Sequence, residues 1–202
     1  TWETPQDVDG RRWQFGARAE HRDIQNDLVD ASSVFVSRNR RRGDIETAMS
    51  LQYQAERQNV VFGPDEERLY ENRALVLGYT WTQRRLDSPI FPSKGYILSG
   101  QLSGASSSFG SARSFVRAYG LGYGIVPLAA ADGEEFGRVV LRGELGAVLA
   151  DGRDGIPSAN LFRTGGTKSV RGYGSQSLGV PLGEATVGGR FLMVTSAEYQ
   201  HL

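Results

Sequence analysis

The amino-acid sequence predicts an all-β fold, a transmembrane antiparallel β-barrel with about eight strands and one long loop. Apolar and polar residues alternate with a period of two in several runs, and charged residues fall in the middle of the polar faces. Alternation also describes a soluble β-sandwich, whose strands average about five or six residues, whereas a tilted membrane-spanning strand needs about 9–11. The length of the runs therefore favours the barrel. The mid-strand charges suit a wet lumen.

Four strands are predicted in the first half of the chain. Trp13 and Phe15 begin the apolar face of the first run, and Leu51 and Tyr53 continue the apolar face of the third. The opposite faces are polar, with Arg18 in the middle of the first run. The predicted ranges are 12–20, 28–38, 45–56 and 74–84.

Four further strands are predicted in the second half, over 95–104, 113–128, 138–149 and 189–202. In the third of these, Leu141 and Leu145 oppose Arg142 and Glu144. The strand over 113–128 has an ambiguous alternation, because Arg117 conflicts with an outward placement of Phe115 and Tyr119. A β-bulge in that strand would resolve the conflict.

The predicted connections alternate between short and long, as they do in membrane barrels. The short ones cover 38–44, 88–95 and 129–137, a longer one covers 60–71, and much the longest covers 151–186. A loop of this length is uncommon in a compact domain and is usually functional. We therefore expect the functional residues in this longest loop.

Composition excludes several classes of function. The 202 residues suffice for a single domain, and 23 basic residues balance 23 acidic ones, so no net charge attracts nucleic acid. There is no cysteine and there are two histidines, which leaves little material for a metal site or a catalytic triad. We expect no enzyme activity, no cofactor, no metal and no nucleic-acid partner.

The ends of the chain lack targeting features. No apolar run approaches the length of about 18 residues that marks a transmembrane helix. The first residues also lack the basic and apolar regions of a signal peptide. A secreted barrel has such a peptide in its precursor, so we expect a mature form or a fragment.

The longest loop contains the segment Leu-Phe-Arg-Thr-Gly-Gly-Thr-Lys-Ser-Val-Arg-Gly-Tyr at 161–173. It resembles the sixth extracellular loop of the outer-membrane-protein-insertion porins, or bacterial surface antigen family, whose signature is a Val/Ile-Arg-Gly-Phe/Tyr tetrad. The tetrad here is Val170, Arg171, Gly172 and Tyr173. The segments 88–96 and 188–200 are similar to the family's turn into the ninth strand and to the strand after the sixth loop. Order and spacing of the three segments agree with the family.

The resemblance implies a partial outer-membrane barrel domain over 1–202, holding the fifth to twelfth of sixteen strands, with the extracellular loop at 151–187 inserted into the lumen. Within the family, the sequence of these segments is most similar to that of the barrel subunit of the translocation and assembly module. The barrel of the β-barrel assembly machinery is the second most similar. The implied role is insertion or translocation of client β-barrel or autotransporter proteins in the bacterial outer membrane. Implied partners are membrane lipid, client proteins and a periplasmic or inner-membrane subunit.

Other functions remain open from the sequence. Secretion pores of the same superfamily, passive or of the two-partner type, carry the same loop motif. Eight strands could also close a small structural barrel. A soluble sandwich that binds a partner is the third alternative.

The motif predicts an ion pair within the lumen. Glu198 shares strand alternation with Arg190 and Gln200, so its side chain should face inward. In the family, a strand carboxylate at the matching position faces the loop arginine, and Arg171 can pair with it through charge-assisted hydrogen bonds. Gly172 would provide close packing or a positive φ, and Tyr173 would pack on the wall with a polar partner for its hydroxyl. The alternative is that the loop merely plugs and stabilises the wall.

Three other features are weaker candidates. Residues 165–169 lack the adjacent Gly-Lys-Ser/Thr of a phosphate-binding loop and the strand-to-helix context that it needs. The basic run 38–42 could bind phosphate or lipid headgroups, but such a run is more often a solvated turn or a guard against edge pairing. His21 lies near the end of a strand with no partner at metal-ligand spacing, so we expect it at the surface.

Overall fold

The structure is a computed structural model, and it describes residues 1–63, 66–129, 133–167 and 169–201. Residues 64–65 and 130–132, which belong to predicted connections, lie outside the described residues. So do Lys168 of the loop segment and Leu202 at the end of the last predicted strand.

The chain forms a long β-sheet with a small hairpin beside it. The strands are β1 (Trp2–Glu3), β2 (Arg11–Ile24), β3 (Asp27–Arg42), β4 (Ile45–Gly63), β5 (Glu66–Leu86), β6 (Gly95–Ala105), β7 (Phe115–Ala129), β8 (Glu135–Leu149), β9 (Val180–Leu182), β10 (Ala185–Val187) and β11 (Phe191–His201). Two short 3-10 turns cover Ser107–Phe109 and Ser158–Asn160. Across the described ranges, no helix is long and apolar enough to cross a membrane.

The strands follow one another in an antiparallel sheet of nine, in the order β1-β2-β3-β4-β5-β6-β7-β8-β11. β9 and β10 pair with each other within the connection from β8 to β11. The all-β antiparallel fold is thus confirmed. The sandwich alternative is wrong because these strands form one continuous sheet. The small closed barrel is wrong as well, because β1 and β11 are the sheet edges among the described strands and do not pair.

The strands β2 to β5 are longer than the alternation predicts. The connection predicted over 60–71 is mostly strand, since β4 continues to Gly63 and β5 begins at Glu66. The basic run predicted as a turn over 38–44 belongs to β3 as far as Arg42, and the turn is formed by Gly43 and Asp44. Backbone pairing continues where the regular alternation of apolar and polar side chains is lost, so the loss of alternation does not mark the strand end.

The two faces of the sheet have the predicted character. The outer face is apolar and exposed, as a lipid-facing surface is. Exposed apolar side chains on this face include Trp13, Phe15, Val34, Met49, Leu51, Tyr53, Leu77, Tyr79, Leu145, Phe191 and Met193. Beyond this band, towards the end that carries the longest loop, the outer face becomes charged, with the pairs His21–Asp30 at 2.6 Å and Arg57–Glu71 at 3.4 Å. His21 is exposed as expected and lies three residues before the end of β2.

The alternation of β7 is resolved without the predicted bulge. Phe115 is buried, and the Tyr119 hydroxyl donates a hydrogen bond of 2.7 Å to the inward-facing Glu144. The outward placement considered for these two aromatic residues is therefore wrong, and they share the inner face with Arg117. The register is continuous from Val116 to Leu128. Aromatic side chains can face inward here because the loop gives them something to pack against.

We predict that a charge in the middle of the apolar band destabilises the barrel. Leu51→Arg should lower the free energy of unfolding by about 2–4 kcal/mol, because the guanidinium would face hydrocarbon. The control is Asn59→Arg on the same face of β4, beyond the band, where Glu67 lies within reach of the new charge. Urea unfolding of the full-length protein in lipid vesicles measures the free energy of unfolding of both variants. Equal losses of that free energy in the two variants would contradict a lipid-facing band.

The turn between β5 and β6 is organised by one carboxylate. Asp87 accepts hydrogen bonds from the Ser93 hydroxyl and from the backbone N–H groups of Ser88, Ser93 and Lys94. These donors, the Ser93 hydroxyl first, lower the pKa of Asp87 to about 2.

Since the folded pKa lies below the unfolded value of about 3.9, Asp87 contributes stability that is complete above that value and is lost as the pH falls towards the folded pKa. A titration of the Asp87 carboxyl 13C shift in nanodiscs should show a midpoint near 2. Ser93→Ala should raise the midpoint. A wild-type midpoint at the unfolded value would show that the turn does not hold the carboxylate.

Candidate functional site

The connection from β8 to β11 folds back over the inner face of the sheet as two paired legs. Phe162 and Gly189 exchange backbone hydrogen bonds of 2.8 Å, and Thr164 and Leu178 exchange bonds of 2.9 Å. At the base, the Val148 N–H donates to the Arg190 carbonyl at 2.7 Å. The loop is therefore a structured element with its own hairpin of β9 and β10.

One apolar anchor of the loop is Phe162. Its ring is buried against the backbone of Gly146 in β8, where an added Cβ would collide with the ring. The ring also stacks with Tyr119 at a centroid distance of 6.1 Å, and the Arg117 guanidinium lies 4.5 Å from its centroid. Ile156 belongs to the same buried cluster. This packing gives the inner face the core that a water-filled lumen would lack.

A second attachment is polar and centres on Glu56 of β4, which is buried. One of its oxygens accepts from the Ser158 N–H at 2.9 Å and from the Ser158 hydroxyl at 2.5 Å, and the other accepts from Asn72 at 2.9 Å. Asn160 donates to Gln54 at 2.7 Å. Wall and loop thus satisfy each other's buried polar groups, as burial requires.

The most deeply buried ion pair joins Arg163 of the loop to Asp27, the first residue of β3. Their side chains are 6% and 0% exposed, and the nitrogen and oxygen lie 2.5 Å apart. Gln58 donates a second hydrogen bond of 2.7 Å to Asp27. Burial lowers the pKa of Arg163, and the negative charge of Asp27 opposes that shift.

The sequence motif lies at the tip of the loop. Arg171 donates a hydrogen bond to Glu198 of β11, with side-chain exposures of 73% and 38%. Glu198 also accepts from Gln200 at 2.9 Å, and Gln200 in turn accepts from Arg138 of β8 at 2.6 Å. The structure therefore brings the two residues of the predicted pair together in a charged network on the inner face.

The other motif residues meet the expectations only in part. Gly172 has a φ of +90°, and no atom lies within 4 Å of the place that a Cβ would occupy, so the positive φ rather than close packing requires glycine. Val170 is half-buried. Tyr173 is 56% exposed, and its hydroxyl has no hydrogen-bond partner among the described residues. The expected packing of Tyr173 on the wall is therefore not found.

Sequence reasoning missed Asp27 and Glu56 entirely, and it gave Arg163 no role although the residue lies within the motif segment. Asp27 follows Gln25 and Asn26, which form the β2–β3 turn with positive φ, so its residue type suggests an ordinary turn residue. Glu56 occupies a regular inward position of β4. No signal in the sequence distinguishes either residue. Among the described residues, no group of three or more His, Cys, Asp or Glu side chains could hold a metal ion.

This combination of an apolar outer face, a polar inner face and a long loop packed inside defines a segment of an outer-membrane type of β-barrel. Residues 10–201 match the model of the Omp85 superfamily domain, and the chain belongs to the Omp85 superfamily. The superfamily expectation is confirmed. The finer assignment to the translocation and assembly module stays a prediction.

A solved structure shows the same fold. It is the crystal structure of BamA from Haemophilus ducreyi lacking POTRA domains 1–3, which superposes with a TM-score of 0.77 at 15% sequence identity. The match covers 98% of this chain and 43% of that chain, so this chain spans less than half the length of the BamA chain. A search of curated proteins found no match.

We predict that Phe162 is a major source of the stability that the loop provides. Phe162→Ala should lower the free energy of unfolding by about 3–5 kcal/mol, because it leaves a cavity against Gly146. Phe91→Ala is the matched control, since Phe91 is exposed in the β5–β6 turn. Urea unfolding in lipid vesicles measures both variants. A loss in Phe162→Ala no larger than in the control would show that the ring does not hold the loop.

Proposed function

We propose that this chain is part of an outer-membrane assembly factor that inserts or translocates client β-barrel or autotransporter proteins. The observation that carries the proposal is the Arg171–Glu198 contact between the loop motif and β11, within a chain of the Omp85 superfamily. Superfamily membership and the BamA-like fold support a role in outer-membrane protein insertion or secretion. The proposal needs no catalytic residue and no cofactor.

The physical task of such a factor is to pair the backbone of a client strand before that strand meets lipid. Each unpaired N–H or C=O in hydrocarbon costs several kcal/mol, so a client strand cannot enter the membrane singly. A barrel that opens at a seam offers strand edges on which a client can form hydrogen bonds, as in β-augmentation. Lipid and client proteins are the partners that this mechanism requires, together with a periplasmic or inner-membrane subunit that delivers clients.

The loop has a defined part in this proposal. It packs on the inner face and contacts β11 through Arg171, so it can steady the wall while another part of the barrel opens. The exposed ion pair contributes little to stability, because solvent screens it. Its role is therefore to fix the position of the tip relative to β11.

We predict that Arg171→Ala reduces client assembly several-fold while the barrel stays folded. Arg171→Lys should have an intermediate effect, because lysine keeps the charge but lacks the planar fork of donors. The full-length protein is tested in lipid vesicles, with assembly of a client barrel followed by its protease protection and heat-modifiability.

Arg57→Ala is the matched control, because Arg57 and Glu71 form an exposed ion pair on the outer face with side-chain exposures of 73% and 69%. Normal client assembly and unchanged heat-modifiability in Arg171→Ala would defeat the proposed role of the motif. Ion conductance across the vesicles without any client assembly would instead identify the wild-type protein as a secretion pore.

A further inference from the structure

The contacts of the loop with the wall include two parts that are far apart in the sheet. Asp27 and Glu56 hold it on β3 and β4, and Glu198 meets its tip on β11. Four strands, β5 to β8, lie between these sites in the strand order. The loop therefore crosses the inner face and ties one part of the wall to another.

The attachment at β3 and β4 includes backbone as well as side chains. The Thr186 N–H donates to the Gln25 carbonyl at 3.0 Å, and the Glu184 N–H donates to the Val61 carbonyl at 3.2 Å. Ala185 and Val187 of β10 are buried in a cluster with Val60 of β4. The β9–β10 hairpin is thus joined to the β2–β3 turn and to the end of β4.

Arg163 is the point where these pieces meet. Its guanidinium donates to Asp27 of the wall, to the Thr186 carbonyl of the returning leg, and to the Gln176 carbonyl of the tip at 3.1 Å. One side chain therefore fixes the outgoing leg, the returning leg and the base of the tip against the wall. Asp27 supplies the fully buried counter-charge that makes this arrangement possible.

The attachment at β11 is of a different kind. Residues 171–176 are all exposed, and the tip begins at Gly165, whose φ of +115° permits a sharp turn. Exposed ion pairs are weakened by salt, whereas a buried pair is screened much less. The tip contact can open and close under conditions that leave the base unchanged.

We propose that Asp27 and Arg163 are the positioning residues of the loop: they form a permanent anchor on β3 that holds the motif tip within reach of a releasable contact on β11. This inference rests on the proposed function only in giving the tip contact a role in assembly. Loss of the anchor displaces the tip although neither residue touches β11.

The experiment measures the position of the tip directly. These 202 residues contain no cysteine, so cysteines introduced at Ser175 and Ser196 are the labelling sites within them, and any cysteine elsewhere in the full-length protein is replaced by serine. Both residues are exposed, one on the tip and one on β11. Pulsed electron spin resonance on the full-length protein in lipid vesicles gives the distance distribution between the labels.

Three anchor variants and one control variant are compared with the parent. Asp27→Asn and Arg163→Met each leave one buried group without its partner and can fail to fold. The double variant, Asp27→Asn with Arg163→Met, removes both charges and avoids a lone buried charge. Asp30→Asn is the matched control, because Asp30 lies on β3 and pairs with His21 on the outer face.

We expect the folded double variant to give a broadened or displaced distance distribution, and several-fold faster protease cleavage within 151–163, while Asp30→Asn behaves as the parent. In the parent, about 1 M salt should broaden the distribution of distances between the two labels without faster cleavage of 151–163. The Debye length at that concentration is about 3 Å, so salt weakens the exposed tip contact and leaves the buried anchor unchanged. An unchanged distribution in the folded double variant would overturn the proposal. Faster cleavage within 151–163 in the parent at high salt would overturn the proposal as well.

Client assembly in the same vesicles separates this inference from the proposed function. A displaced tip with normal client assembly would uphold the anchor and defeat the role of the loop in assembly. An unmoved tip in the double variant, with assembly lost in Arg171→Ala, would uphold the proposed function and defeat the anchor.

Discussion

The constraint on which the rest of this structure depends is that a backbone in lipid must pair every N–H and C=O group within the protein. Antiparallel pairing meets it from β2 through β8 and on to β11, with continuous registers over most of each strand pair. Once the strands are fixed in this way, the alternation of side chains is fixed as well, because neighbouring residues point to opposite faces. The apolar outer face and the polar inner face are consequences of that one requirement.

The polar inner face in turn explains why the loop is where it is. A face that carries Glu56, Asn72 and Gln54 needs hydrogen-bond partners when it is covered, and the loop segment around Ser158 and Asn160 provides them. Phe162 of the same loop adds apolar burial against β8. The loop is therefore the core of this domain, and its stabilising role does not exclude a functional one.

The two ion pairs of the loop differ in environment and therefore in kind. Asp27 and Arg163 are sequestered from water and held by further hydrogen bonds, while Arg171 and Glu198 meet in solvent. The motif that identifies the superfamily is thus the more weakly held of the two contacts. A tip contact that opens at low cost leaves the wall free to change shape in a way that a buried pair does not.

The sequence by itself determined the class of fold, the direction in which most side chains point, the location of the long loop and the pairing partners Arg171 and Glu198. The alternation of apolar and polar residues predicts the fold class and the side-chain directions, because alternation is a local pattern. The motif and its flanking segments predict the loop and the ion pair.

Only the tertiary structure decided where β4 and β5 end, since strand pairing continues after the alternation fades at Val60. It also decided that Phe115 and Tyr119 face inward, because the loop that covers them comes from a distant part of the chain. The Asp27–Arg163 anchor joins residues 136 positions apart, and neither residue type is unusual where it stands. The path of the loop across the sheet brings the two residues together. That path depends on packing between distant parts of the chain, so no local sequence pattern predicts it.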